Sequence, residues 1–339
     1  MKHILEGFGL RADDYRIAPI KTGHINYTYK LTGERNFILQ RINTNVFQKP
    51  EDIALNIRLA ANYLQQHAPS YFFLVNEKTA TGKELMYDEA GLPWRLFPFV
   101  DNTFTIDKAD TLDDAYAAAK GFGGLAANLW HCPIGQFQET IPRFHDLSLR
   151  YRQFEHALAG AADARKDAAV DAITSAIRFQ PLVKEYEQLI AGGTLALHIM
   201  HNDTKINNIL FDQQTRGVVS VIDLDTLMPG YFIYDLGDMI RTCVSPATEE
   251  ERDTSQIIYR KEYYEAIVDG YFSAMGMHLP AQQRALAPFA GCMMTYIMAL
   301  RFLADYLNGN VYYQVSYEEQ NLVRAKNQLK LLQLLQQHC

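Results

Sequence analysis

The sequence predicts an α+β chain in two unequal parts: a small antiparallel sheet with one helix over residues 1–100, then a larger, mainly helical part over residues 101–339. Three observations carry that expectation. Short runs rich in aromatic and branched residues, separated by turn chemistry, crowd the first hundred positions. Apolar residues recur at helical spacing through most of the remainder. Near Asp101 the composition changes without a long linker.

Tyr27–Leu31 and Phe37–Ile42 read as strands, and Thr32-Gly33-Glu34-Arg35 between them is hairpin-turn chemistry. Pro50 stands where a helix starts, with Ile53, Ile57, Ala60, Ala61 and Leu64 following at helical spacing. Further strands are expected at Phe72–Asn76, Glu84–Asp88 and Trp94–Val100. Helices are expected over Leu112–Leu129, Leu147–Leu158, Ala168–Ala191, Tyr259–Met275, Gln282–Leu307 and Tyr317–His338, broken only by a hairpin of Ile209–Phe211 and Val218–Leu224. The Ala-rich stretch Ala157–Ala176 reads as an exposed helix or loop. The apolar run Ala285–Leu300 ends at Arg301, is short for a membrane span, and reads as a buried bundle helix.

Composition narrows the function. Lys+Arg number 32 and Asp+Glu 39, a net charge of −7 on 339 residues. A global basic surface for nucleic acid or anionic lipid is therefore not expected. Cys132, Cys243, Cys292 and Cys339 show no metal-ligand spacing and no disulfide framework, which fits a reducing, cytoplasmic setting. The N-terminus lacks the apolar core and cleavage site of a secretory leader.

The densest chemistry lies in His198–Asp212, which contains His201-Asn202-Asp203-Thr204-Lys205-Ile206-Asn207-Asn208, followed by a strand ending Ile222-Asp223-Leu224-Asp225. With a hairpin turn centred on Gln214-Thr215, Asn208 falls nearly opposite Val221, and Asp223 lies just beyond at the same end. One amide oxygen and one carboxylate with free positions suit Mg²⁺, whose other ligands would include phosphate oxygens. Asp203 remains free to accept a hydroxyl proton. Lys205 adds positive charge where a transferring phosphoryl group would pass. This is the pattern of phosphoryl transfer. A bare His-x-Asp with a downstream Asn could equally tie down a loop; the hairpin and its terminal Asp tip the balance toward catalysis.

HNDTKINN, VIDLDTLMPG and YDLGDMIR resemble the aminoglycoside phosphotransferase and choline kinase group, with its protein-kinase-like bilobal fold. TGHINYTYKL, FILQRINTNVF and RFLADYLNGNVYY extend the likeness from about Ile20 to Leu329 and narrow it toward bacterial N-acetylhexosamine 1-kinases. The resemblance implies an ATP- and Mg²⁺-dependent kinase with ATP between the lobes, a hinge near residues 97–102, Asp203 as catalytic base, and Asn208 and Asp223 as metal ligands. Lys205 matches the protein-kinase form of the catalytic loop. His201 is expected to order that loop, and Asp235 and Asp238 to pin the following helix. Asp225 stands open between a second metal contact, a sugar acceptor and a helix cap.

In the small lobe the resemblance assigns nucleotide contacts to the Thr22-Gly23-His24 turn with Asn26, and to hinge backbone around Phe99. The strand lysine that grips nucleotide phosphates in kinases is missing, and Arg41 is the expected substitute, with no obvious partner beyond Glu51 at the start of the next helix. Arg301, backed by Tyr312, is expected to bind a small-molecule sugar, the alternative being an Arg301–Asp305 pair. The implied protein acts as a monomer or homodimer without membrane or nucleic-acid partners. A kinase for choline, ethanolamine, homoserine or an aminoglycoside, and a nucleotide-binding pseudokinase, are the alternatives.

Overall fold

The structure, a computed structural model, describes residues 1–20 and 25–338. Its small part is a five-stranded antiparallel sheet ordered β1-β2-β3-β5-β4, with β1 Arg16–Ile20, β2 Tyr27–Thr32, β3 Phe37–Arg41, β4 Met86–Tyr87 and β5 Pro93–Pro98. Period-2 alternation gives this sheet two faces. Leu31, Phe37, Leu39, Trp94 and Leu96 pack with Ile4, Leu5 and Phe8 of the N-terminal helix α1 (Lys2–Gly7) and the turn after it. Ile38 and Gln40 of β3 and Arg95 and Phe97 of β5 line a cleft on the other face. Helix α2, Pro50–His67, begins at its proline and buries Ile53, Ile57, Ala60 and Leu64 in the main core. Its buried Asn56 binds the backbone of Gln138 and Leu227, tying α2 to the helical part.

The next strand, β6 (Thr103–Phe104), pairs with β8 (Ile209–Asp212), which pairs with β9 (Val218–Val221); β7 (His198–Met200) pairs with β10 (Met228–Gly230). Around them pack α3 (Leu112–Leu129), opened by a Thr111–Asp114 capping box, then α4 (Leu147–Gly160), α5 (Asp163–Ala168), α6 (Val170–Arg178), α7 (Pro181–Ala191), α8 (Phe232–Cys243), α9 (Lys261–Met275), α10 (Ala281–Arg284), α11 (Ala287–Leu307) and α12 (Gln320–His338). Helix α11 runs through the middle, against α4, α8 and α12. It is long and apolar enough to cross a membrane, but 83% of its most apolar window is buried inside the fold.

The α+β expectation holds, with local differences. Phe72–Asn76 forms no strand; only Glu77 bridges to Leu96. The helix expected over Ala168–Ala191 breaks before Pro181, which cannot donate a backbone hydrogen bond in a helix interior. The Ala-rich stretch is not exposed throughout, because Ala157, Ala169, Ala172 and Ala176 are buried. The hairpin turns about Gln214-Thr215 as expected, with Phe211 opposite Val218 and Asp212 N–H donating to Gly217 O, but a β-bulge between Leu210 and Phe211 then shifts the register so that Ile209, not Asn208, pairs with Val221.

Candidate active site

The segment after β7 is held from all sides. Asp235 on α8 accepts the N–H groups of His201 (3.1 Å) and Asn202 (2.7 Å), and its carbonyl accepts the Thr204 hydroxyl. Asn202, at φ 64°, donates its amide to the carbonyls of Met200, Thr226 and Met228. His201 Nδ1 accepts the Asp203 N–H, so its proton sits on Nε2 and is donated to the Ile222 carbonyl at 2.9 Å. One imidazole therefore joins the Asp203 loop to the strand end that carries Asp223. Both ring nitrogens of His201 are taken up in holding the loop to that strand end. Asp235 pins the loop rather than only its own helix, while Asp238 is paired with Arg241.

At the mouth of this loop Asn208 donates its amide N–H to the Asp203 carbonyl (2.9 Å) and carboxylate (3.3 Å). That orientation leaves the Asn208 amide oxygen as the free end. Lys205 Nζ lies 3.4 Å from the Asp203 carboxylate. Burial alone would raise the Asp203 pKa, but Lys205 and His201 outweigh it and hold the carboxyl below its usual value. Lys205 is pushed upward in turn, chiefly by Asp203. Asp203 is thus ionised and aimed, as a proton acceptor must be.

Asp223 follows β9 in a left-handed conformation, φ 57°. Among the described residues no group donates a hydrogen bond to its carboxylate. Burial, then Asp225 and Asp203, push its pKa up to about 7. A buried carboxylate crowded by two others and lacking a donor fits a cation site, with the Asn208 amide oxygen as the second ligand. Among the described residues no three His, Cys, Asp or Glu side chains cluster as a self-sufficient metal cage. Two protein ligands suit an ion that completes its shell with phosphate and water oxygens.

Asp203, Lys205, Asn208, Asp223, Asn26 and Phe99 line one cleft of about 400 Å³ between the sheet and the helical part. At its inner edge the Phe99 N–H donates to Asn36 O. Among the described residues the Phe99 carbonyl and Val100 N–H have no partner, so an acceptor and a donor stand beside the apolar walls of Phe97 and Phe104. Asn26 reaches Asp225 at 2.7 Å. Thr22, Gly23 and His24 lie outside the described residues.

Arg41 does not enter the cleft. It shares the face of Phe37 and Leu39, and its guanidinium lies over Tyr27, 4.0 Å from the ring centre. The alternation of the strand, which puts Gln40 inside, puts Arg41 outside. Sequence reasoning missed Arg95, a residue 1% exposed that faces the cleft and pairs with Asp225. The signal available was its place inside the apolar run Trp94-Arg-Leu-Phe. Asp225 therefore has an ion-pair partner and caps no helix by side chain.

Arg301 and Tyr312 lie beside the cleft rather than in its lining. The Arg301 guanidinium sits over Phe144 (5.1 Å), Tyr313 (5.6 Å) and Tyr312 (5.9 Å). It does not pair with Asp305, which accepts the Tyr312 and Tyr313 N–H groups and the Asn321 amide and so fixes the tyrosine turn. Next to Phe144, His145 Nε2 contacts Asn202 O at 2.7 Å, which connects this cluster to the residue preceding Asp203. Among the described residues the buried Tyr313 hydroxyl has no hydrogen-bond partner, and burial followed by the neighbouring Arg301 lowers Arg150 to about 10.

A two-part fold with a cleft, an aimed carboxylate, and an Asn–Asp pair on adjoining strand ends defines a phosphoryl-transfer enzyme of the bilobal kinase class. Within that class the chain belongs to the phosphotransferase enzyme family, whose pattern matches residues 16–271. Solved structures share the fold at low identity. A microcompartment-associated aminopropanol kinase is 20% identical with TM-score 0.63, over 99% of this chain and 96% of its own. An aminoglycoside phosphotransferase from Alicyclobacillus acidocaldarius is 12% identical with TM-score 0.64, over 99% and 95%. Amicoumacin kinase, solved with AMP-PNP, Ca²⁺ and its antibiotic, is 15% identical with TM-score 0.61, over 95% and 89%.

Proposed function

We propose that this phosphotransferase is an ATP- and Mg²⁺-dependent sugar kinase that phosphorylates the anomeric hydroxyl of an N-acetylhexosamine, N-acetylglucosamine or N-acetylgalactosamine, in the cytoplasm. The observation that carries the substrate class is the arginine–aromatic cluster next to the catalytic cleft, outside its acidic lining. Beside the cleft, Arg301 stands over Tyr312, Tyr313 and Phe144 with Arg150 close by, a cluster that His145 connects to Asn202, the residue before Asp203. A cationic amino alcohol or aminoglycoside would meet like charge there, whereas a neutral polyol with an amide carbonyl meets donors and aromatic surface. The motif likeness to N-acetylhexosamine 1-kinases adds support, as does the nucleotide analogue and divalent ion held by amicoumacin kinase.

The residues divide the work simply. Asp203 accepts the proton of the attacking hydroxyl and aims its oxygen at the γ-phosphate, with Lys205 beside it. A bound Mg²⁺ would neutralise phosphate charge, and Asn208 and Asp223 would hold it. The C1–O bond stays intact, so the product keeps the anomeric configuration of the bound sugar.

A coupled ADP-release screen across N-acetylhexosamines, choline, ethanolamine, aminopropanol, homoserine and an aminoglycoside tests this reading. Turnover is expected for the N-acetylhexosamines. Turnover confined to a cationic alcohol would overturn the substrate assignment, and absence of transfer to every acceptor would favour a pseudokinase.

A further inference from the structure

Resting on the nucleotide-binding reading above, we propose that Arg95 is the small-lobe cation that grips the nucleotide phosphates, held ready by Gln40 on its own sheet and by Asp225 from across the cleft. A triphosphate entering the cleft needs positive charge from the sheet side as well as from the catalytic loop. Strand β3 offers Ile38 and Gln40 there and no lysine. Arg95 and Lys205 are the only cations among the described residues lining the cleft, Lys205 on the catalytic loop and Arg95 on the sheet.

The sheet builds a row toward this position. Thr28, Gln40 and Arg95 are direct cross-strand partners on β2, β3 and β5. Gln40 donates to the Thr28 hydroxyl at 3.1 Å and accepts from Arg95 Nε at 3.0 Å, which fixes the amide and aims the guanidinium away from the sheet. The far end of the guanidinium meets the Asp225 carboxylate. Nη1 of Arg95 and Oδ1 of Asp225 are the two atoms of that ion pair, and among the described residues neither makes a further hydrogen bond. A guanidinium fixed on the cleft wall by Gln40 and Asp225 suits a phosphate oxygen, which a guanidinium can grip with parallel donors.

Asp225 supplies the counter-charge because α2 does not. The acids of α2 are Glu51 and Asp52, both in its first turn, and Glu51 is bound to Tyr87. Asp225 is also fixed by Asn26, and it stands two residues beyond Asp223. The phosphate grip and the metal-holding loop thus share one carboxylate anchor.

The test is calorimetric binding of ADP and of adenosine to the full chain in chelator, comparing wild type with Arg95→Gln, Asp225→Asn and the double variant. Arg95→Gln should raise the ADP Kd at least about tenfold and leave the adenosine Kd within about twofold. Asp225→Asn, which keeps the guanidinium charged but removes its anchor, should weaken ADP binding less than Arg95→Gln does and leave the adenosine Kd within about twofold. The double variant carries no unpaired buried charge and should match Arg95→Gln, which covers the case in which the single variant fails to fold. An unchanged ADP Kd in the foldable Arg95 variants overturns the proposal alone. Parallel loss of ADP and adenosine in all three variants also overturns it and marks the pair as an interlobe strut. A wild-type chain that binds neither ligand overturns the nucleotide reading and this proposal together.

Discussion

Asp203 combines three conditions that a general base needs: a carboxyl held ionised by Lys205, a backbone fixed by His201 and Asp235, and a position at a cleft mouth. Asp203→Asn keeps the size and removes the proton acceptor. Transfer should fall by about 10²–10⁴-fold while ADP affinity stays within about twofold; measured turnover close to wild type would refute the role. His145 makes a different prediction. Burial, followed by Arg301 and Arg150, lowers its pKa to about 3, against the upward pull of the Asn202 carbonyl and Asp203. A histidine depressed in the fold stabilises above its unfolded value near 6.5 and loses that contribution as pH falls toward 3. Urea unfolding between pH 7 and pH 4.5 should therefore show a steeper acid loss in wild type than in His145→Gln, by up to about 1.4 kcal/mol per pH unit. Parallel curves would rule it out. The motif residues were legible because phosphoryl transfer demands their spacing within one short stretch. Arg95 was not, since a lone arginine in a strand reads as an outward charge until the pairing of Gln40 with Arg95 shows which face it takes.

Helices place that loop, and α8 does so through Asp235. It can lie close enough because Gly237 faces α11: a Cβ there would run into the Ala290 carbonyl. Gly237→Ala should destabilise the protein by about 1–3 kcal/mol through overpacking of backbone against backbone. It should also lower turnover beyond the loss of folded protein, because a displaced α8 moves the acceptor of the His201 and Asn202 N–H groups. A melting temperature and specific activity equal to wild type would contradict this. Helical periodicity made α2, α3, α9 and α11 readable in the sequence, since each buries one face or nearly all of its length. The short strands β6, β7 and β10 were not readable, because two or three residues carry no periodicity and their pairing is decided by tertiary contact. The hairpin register shifted by one residue because of a β-bulge between Leu210 and Phe211, which no sequence pattern announced, while the loop itself, organised by Asp212 accepting from Gln214 and Thr215, kept its expected centre.

The whole molecule carries −7, and its cleft is acidic too. Asp107, Asp203, Asp223 and Asp225 face it against Lys205 and Arg95 among the described residues. The pKa of Asp223, raised to about 7 by burial and by its two acidic neighbours, is a local measure of that crowding. The long-range field repels a free triphosphate, and at the site four carboxylates outnumber Arg95 and Lys205, so most of the affinity must come with a cation that turns the Asn208–Asp223 pair from a repulsive patch into a bridge to phosphate. Chelation should then weaken ATP binding at least about a hundredfold, since a unit-charge contact at 4 Å near a protein surface is worth about 4 kcal/mol. Adenosine, which carries no phosphate, should bind equally with and without chelator. Equilibrium dialysis of both ligands at fixed ionic strength separates the contributions, because salt screens the distant field over about 10 Å and leaves the buried pair almost untouched. Equal ATP affinity in the two conditions would mean that Arg95 and Lys205 alone balance the phosphates, and would remove the metal from nucleotide binding altogether.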